Sequence, residues 1–245
     1  ADEAREPDVQ ATAIVPAPRA PGVNVFPASL AQERLWVLER AMGPEALANV
    51  AGAFRAVGSL DPSALRRAFE RVAARHEALR TTFAAIDGVV TQIVSPHAAV
   101  TVRVIDVDGA GTAADRRAVA QRLVTSELER PFDVFRGPLV RVVVARVDAA
   151  DHVVGGALHH LVADAGSMPI LVRELVAAFR DEALPPPTLQ YADFSVWSRR
   201  AGVLAPPRRE RVAYWRRRLA DLPARTEGGA GDRNPGCRLA DRRIS

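Results

Sequence analysis

The chain has 245 residues, 48% hydrophobic and 25% charged, a length and mix that suit one large or two small globular domains at roughly 150 residues each. Its 33 basic residues against 29 acidic ones leave a net charge of +4, every basic residue is arginine, and the one cysteine is Cys237. These numbers exclude a lysine Schiff base, a P-loop lysine, a disulfide framework and a cysteine-rich zinc site, and they argue against a nucleic-acid partner.

Residues 1–27 are rich in Pro and Ala (Pro16, Pro18, Pro21, Pro27) and lack periodicity, which predicts a flexible linker. The acidic start, Ala1–Glu6, shows no secretory signal. Ser29 and Gln32 stand at capping-box spacing, predicting a helix from Leu30 to about Arg40. Asn49–Val57 reads as a strand, and Asp61-Pro62 suits the N-cap and first turn of a second helix. Leu65, Phe69, Val72, His76 and Leu79 then form one apolar stripe. Thr81–Ile86 and Val89–Val94 flank Asp87-Gly88, a strong tight-hairpin signal. A strand over Val100–Ile105 and a helix over Asp115–Glu129 follow.

Leu139–Val147 and His152–Leu158 read as strands joined by the polar turn Asp148–Asp151. The second is apolar on both faces, as a central strand is. Next come a helix over Met168–Arg180, a break at Pro185–Pro187, and helices near Tyr191–Arg200 and Pro207–Leu219; Ala224–Ser245 has no apolar periodicity. Apolar runs fall far short of the roughly 20 residues that span a bilayer, so no membrane partner and a cytoplasmic location are expected. Strands alternating with helices predict an α/β (α+β) fold, a mixed β-sheet packed with helices.

The most chemically suggestive segment is His159-His160-Leu161-Val162-Ala163-Asp164-Ala165-Gly166-Ser167, between the central strand and a helix start. Successive strand residues face opposite sides, so His159 and His160 cannot serve one site while the strand stays regular. One faces the core and the other a surface or cleft. Asp164 returns toward the strand end, where a carboxylate can fix an imidazole's tautomer or raise its pKa. A structural histidine is the commoner occupant of such a place. No metal is expected, because this pattern offers at most two ligands on one side and His76, His97 and His152 show no matching spacing.

His159–Gly166 resembles the HHxxxDG signature of condensation domains in nonribosomal peptide synthetases, within the chloramphenicol-acetyltransferase-like superfamily. Ser29–Leu38 resembles the family's SxAQxRLWxL motif, Arg75–Phe83 its RHExLRTxF motif and Tyr191–Trp197 its YxDYAVW motif; Pro131-Phe132-Asp133 and Gly137–Arg141 are similar to its connecting text. The motifs keep the family order across residues 28–222, and the first two look most like the subtype joining two L-configured aminoacyl units. The resemblance implies a chloramphenicol-acetyltransferase-like lobe over residues 28–183, exit helices over 184–222 and an irregular tail over 223–245, with a second lobe outside the chain. One departure is Ala165, where the family has glycine; Gly166 comes one position later.

By resemblance, His160 is the catalytic residue, either as general base or by orienting the nucleophile and stabilising the tetrahedral intermediate. His159, Asp164, Arg80 and Gly166 shape the site, with Arg80 the expected ion-pair partner of Asp164. The implied partners are upstream and downstream carrier domains. Their phosphopantetheine arms bring an acyl or peptidyl thioester and an aminoacyl amine for amide formation, or a hydroxyl for ester formation, and the chain itself is expected to bind no cofactor. Residues 199–218 hold eight arginines and one acid. Such a run is usually a solvated face; docking of an acidic carrier through Arg208, Arg209, Arg216 and Arg217 is the functional alternative. A lobe without its partner exposes apolar surface, so a homodimer or an aggregation-prone chain is expected. A non-catalytic module that docks carriers or a partner enzyme is the competing function.

Overall fold

The computed structural model describes residues 13–43, 49–98, 100–109, 111–200 and 208–220. In chain order they form β1 (Asn24–Pro27), α1 (Leu30–Met42), β2 (Val50–Val57), α2 (Pro62–Arg75), a 3-10 turn (Glu77–Arg80), β3 (Thr81–Ile86), β4 (Val89–Val94), β5 (Val102–Asp106), α3 (Ala113–Glu129), β6 (Val140–Asp148), β7 (Asp151–Leu158), α4 (Ser167–Phe179), α5 (Tyr191–Arg200) and α6 (Arg208–Arg218). The strands make two sheets, β1-β4-β3 and β2-β7-β6-β5. The first is antiparallel. The second is mixed: β5 runs parallel to β6, with α3 as the crossover, while β2, β7 and β6 pair antiparallel.

Local chemistry sets several element ends. Ser29 Oγ accepts the Gln32 amide while Gln32 Oε1 accepts the Ser29 amide, closing the capping box of α1. Asp61 caps α2 through the amides of Ser63 and Ala64. The β3–β4 hairpin turns on Asp87 (φ 50°) and Gly88 (φ 77°), with Ile86 opposite Val89. Two successive left-handed residues are what a two-residue type I′ turn requires.

The mixed sheet carries apolar side chains on both faces. Val143, Ala145 and Val147 of β6 with Val153 and Ala157 of β7 pack on Ala120, Val124 and Leu128 of α3. Val140, Val142, Val144, Val154 and Leu158 point the other way, onto Leu65, Phe69 and Val72 of α2 and Ala178 of α4. This is the strand alternation of period two realised on a fully covered strand. At Gly155 an added Cβ would lie 2.4 Å from Val124 Cγ1, so glycine there lets α3 press against β7.

Two expectations need correction. Residues 13–27 are not a free linker: β1 pairs with β4 from Asn24↔Val94 to Pro27↔Thr91. Upstream, the Arg19 guanidinium bridges Glu77 (2.7 Å) and Asp193, and Asp193 also accepts the Ala17 amide (2.8 Å). The apolar stripe of α2 also ends early. His76 caps the helix after Arg75 and turns its ring to Glu174, while Leu79 reaches the core from the 3-10 turn. Residues 1–12 and the expected irregular tail, 223–245, lie outside the described residues.

Candidate active site

The last ladder contact of the central strand is the His159 amide donating to Leu139 O (3.1 Å). The chain then turns over residues 160–162 before α4 begins. His159 is 2% exposed and His160 is exposed. The two imidazoles thus part as strand alternation predicts, although His160 already sits in the turn.

Buried groups hold that turn from inside. His159 Nδ1 accepts the Leu161 N–H (3.1 Å), and the Leu161 carbonyl accepts Gln32 Nε2 (3.0 Å). The amides of Val162 and Ala163 return to His159 O. Gln32 Nε2 also reaches Gln92 Oε1 (3.2 Å), whose own amide donates to Pro27 O and Ser195 Oγ. One chain of buried amides therefore ties α1, the smaller sheet and α5 to the peptide that follows Leu161. His159 Nε2 lies 3.1 Å from Glu39 Oε2 on α1, off the axis of a well-aligned hydrogen bond, and neither atom has another partner among the described residues. The His159 and Phe132 rings meet in a T-shaped contact, perpendicular with 6.1 Å between centroids.

Asp164 is exposed and serves its own turn. Its Oδ1 accepts the hydroxyl (2.7 Å) and the amide (2.9 Å) of Ser167, at the first turn of α4. The hydroxyl bond first, then the amide bond, holds this carboxyl below its usual range, against a smaller opposing effect of burial. Arg80 is elsewhere. Its guanidinium donates to Ser95 O and stands 3.9 Å from Glu77, and it lines a cleft of about 610 Å³ with Arg71, Arg75 and Gln190. The expected Asp164–Arg80 ion pair is therefore corrected: Asp164 is satisfied by Ser167, and Arg80 turns to Ser95 O and Glu77, its buried Nε having no hydrogen-bond partner among the described residues. Gly166 has φ −71°, ordinary backbone open to any residue, and Ala165 is not at positive φ, so the displaced glycine strains nothing.

Arg216 and Arg217 are exposed on α6; the side chains of Arg208 and Arg209 lie outside the described residues. Among the described residues no group of three or more His, Cys, Asp or Glu side chains is placed to hold a metal, and no helix is long and apolar enough to cross a membrane. Chemically, the arrangement is an accessible imidazole on a backbone fixed from the interior, able to exchange a proton or hydrogen-bond with a group brought from outside.

Sequence reasoning missed Glu39 and the second role of Gln32. The signal was present: these two polar residues are seven apart, so they share one helix face with the half-buried Trp36 between them.

The condensation domain pattern matches residues 23–235. The chain belongs to the condensation domain family. A component of the linear gramicidin synthase of Brevibacillus parabrevis is 38% identical over 204 residues, 80% of this chain and 4% of that protein. Among solved structures, SgcC5 from Streptomyces globisporus is 31% identical with a TM-score of 0.64, covering 79% of this chain and 46% of that one. The X-domain of teicoplanin biosynthesis, solved in complex with OxyB, is 29% identical with a TM-score of 0.70, covering 86% and 46%. The fold is accordingly the chloramphenicol-acetyltransferase-like fold of condensation domains. This chain spans less than half the length of those solved structures and a small fraction of the gramicidin synthase component.

Proposed function

We propose that this chain carries the reactive histidine, His160, of a condensation domain that joins a carrier-bound acyl or peptidyl thioester to a carrier-bound aminoacyl amine. The observation that supports this reading best is the division at the end of β7: His159 is sealed and holds the turn, and His160 is open to an incoming group. In the proposed reaction the amine nitrogen attacks the thioester carbonyl carbon. The C–S bond then breaks, and the acyl chain passes to nitrogen as an amide. The nitrogen gives up a proton and the departing sulfur of the upstream phosphopantetheine arm takes one up, leaving a free thiol. His160 either relays that proton as general base, an effect of about 10²–10⁴-fold, or orients the nucleophile and hydrogen-bonds the tetrahedral intermediate. A hydroxyl acceptor gives an ester by the same steps. The thioester supplies the activated acyl group, so this chemistry asks for no resident cofactor. In the same reading the second half of the domain completes the cleft, and the arginines of α6, Arg216 and Arg217 with Arg208 and Arg209, meet acidic carrier domains.

The likeness to an X-domain solved in complex with OxyB favours one alternative, a module that docks a partner without catalysis. The two readings part on His160. The test is condensation by the complete domain between two loaded carriers, followed by mass spectrometry of the acceptor carrier. Loss of product in His160→Ala with carrier binding intact supports the catalytic reading. Product formation that survives His160→Ala refutes it. A wild-type domain that binds a carrier or enzyme and makes no product supports docking.

A further inference from the structure

We infer that Glu39 is a positioning residue for His160, acting through the imidazole of His159. The inference deepens the proposed role of His160 and rests on it for its effect on activity; the geometry beneath it does not.

The ring of His159 has two nitrogens and each has one task. Nδ1 accepts the Leu161 N–H at 3.1 Å, so Nδ1 carries no proton. The ring proton is therefore on Nε2, the nitrogen 3.1 Å from Glu39 Oε2. Both side chains are buried, at 2% and 7% exposure, and neither facing atom has another partner among the described residues. A buried carboxylate without a nearby donor is costly, so each member of the pair makes the other tolerable.

The Leu161 N–H belongs to the peptide that follows His160. Holding it fixes the rotation about the Cα–C bond of His160 from the C-terminal side. Gln32 holds the carbonyl of the same residue, Leu161, from the neighbouring turns of α1. Glu39 and Gln32 lie seven residues apart on that helix, so one face of α1 sets both ends of residue 161. Without an acceptor at position 39, the buried Nε2–H has nowhere to point. The ring then favours the Nδ1–H form or turns over. An Nδ1–H would face the Leu161 N–H, donor against donor, and the hold on the His160 turn would fail. Glutamine at position 39 still offers a carbonyl oxygen to Nε2–H; leucine offers none.

The test begins with the wild-type chain. Long-range ¹H–¹⁵N spectra of its imidazoles should show His159 as the neutral Nε2–H form. An Nδ1–H or doubly protonated His159 would overturn the inference without any variant. In Glu39→Leu, provided far-UV circular dichroism and denaturant unfolding show it folded, His159 should leave the Nε2–H form. Exchange of the Leu161 amide should then quicken roughly tenfold or more. Glu39→Gln should keep the wild-type spectrum and slow exchange, and its failure to do so would also overturn the inference, as would a folded Glu39→Leu with the wild-type tautomer and protection. If Glu39→Leu does not fold, the wild-type and Glu39→Gln spectra decide alone. In the condensation assay the same inference expects Glu39→Leu to lower kcat by up to about 10²-fold with KM for loaded carriers little changed, the cost of a misplaced catalytic group. Activity indifferent to His160→Ala beside the expected spectra would sink the proposed reaction and leave the positioning geometry standing; the reverse pattern would sink only the role of Glu39.

Discussion

Helices α2 and α1 differ by one residue in length, 14 against 13, yet they bury opposite kinds of side chain. Helix α2 buries Leu65, Ala68, Phe69, Val72 and Ala73 against the mixed sheet. Helix α1 buries Gln32 and Glu39 and leaves Leu30, Val37, Leu38 and Met42 exposed. Helix α4 follows α1: it buries Glu174 and Ala178, and Ile170, Val172, Val176 and Phe179 face outward. The two inverted helices are those that meet the histidine turn, one beneath it and one leaving it. The difference separates two uses of a helix face. The α2 face contributes stability through apolar area, whereas the inner faces of α1 and α4, beside apolar Leu35, Trp36, Leu171, Leu175 and Ala178, also enclose polar groups that fix geometry.

The largest expected effect lies on α2. Phe69→Ala should cost about 3–5 kcal/mol, a large share of the roughly 5–15 kcal/mol of a typical domain, read from the urea midpoint; a cost below about 1 kcal/mol would erase the contrast. The next effect separates α4 from α2. Burial alone would raise the Glu174 carboxyl, but hydrogen bonds from His76 (2.6 Å) and Arg75 (2.9 Å) outweigh it and hold the group below its usual range. A folded pKa below the unfolded value of about 4.3 means that this stabilisation is present above that value and is lost as pH falls through the folded one. Stability of the wild-type chain should therefore drop in that acid window, and Glu174→Gln should flatten that limb; equal slopes in both proteins would show that Glu174 is not its source. The smallest effect is on the outer face of α1. Val37→Ser should change stability by no more than about 0.5 kcal/mol, and by shrinking the apolar patch it should weaken self-association in sedimentation velocity if that face joins two copies.

What could be read from sequence was whatever local spacing controls. The capping box at Ser29 and Gln32, the Asp87-Gly88 hairpin and the two-faced apolar strand β7 all depend on residues within a few positions of each other. The separation of His159 from His160 followed from the same short-range geometry. Strand β1 was missed because four residues, Asn24–Pro27, gain their order from β4, far along the chain. Arg19 was missed for the same reason, since its partners lie 58 and 174 residues away. The Asp164–Arg80 pairing failed in the opposite way. Asp164 has a hydroxyl and an amide three residues ahead in Ser167, a nearer answer than any arginine brought by the fold. Glu39 could have been found by asking why a carboxylate shares a helix face with Gln32.

Arg19 gives the amino-terminal segment a mechanical meaning. Glu77 leads into the hairpin and Asp193 lies in α5, and a single guanidinium rivets the two together while β1 zips along the neighbouring sheet edge. A boundary drawn at residue 28, where proline content alone would place it, removes the rivet, takes the Arg19 counter-charge from buried Asp193 and leaves Glu77 only the more distant Arg80. Recombinant trimming should therefore stop well before Ala17, because the Pro-rich stretch that looks dispensable is the hasp that keeps α5 shut against the body of the molecule.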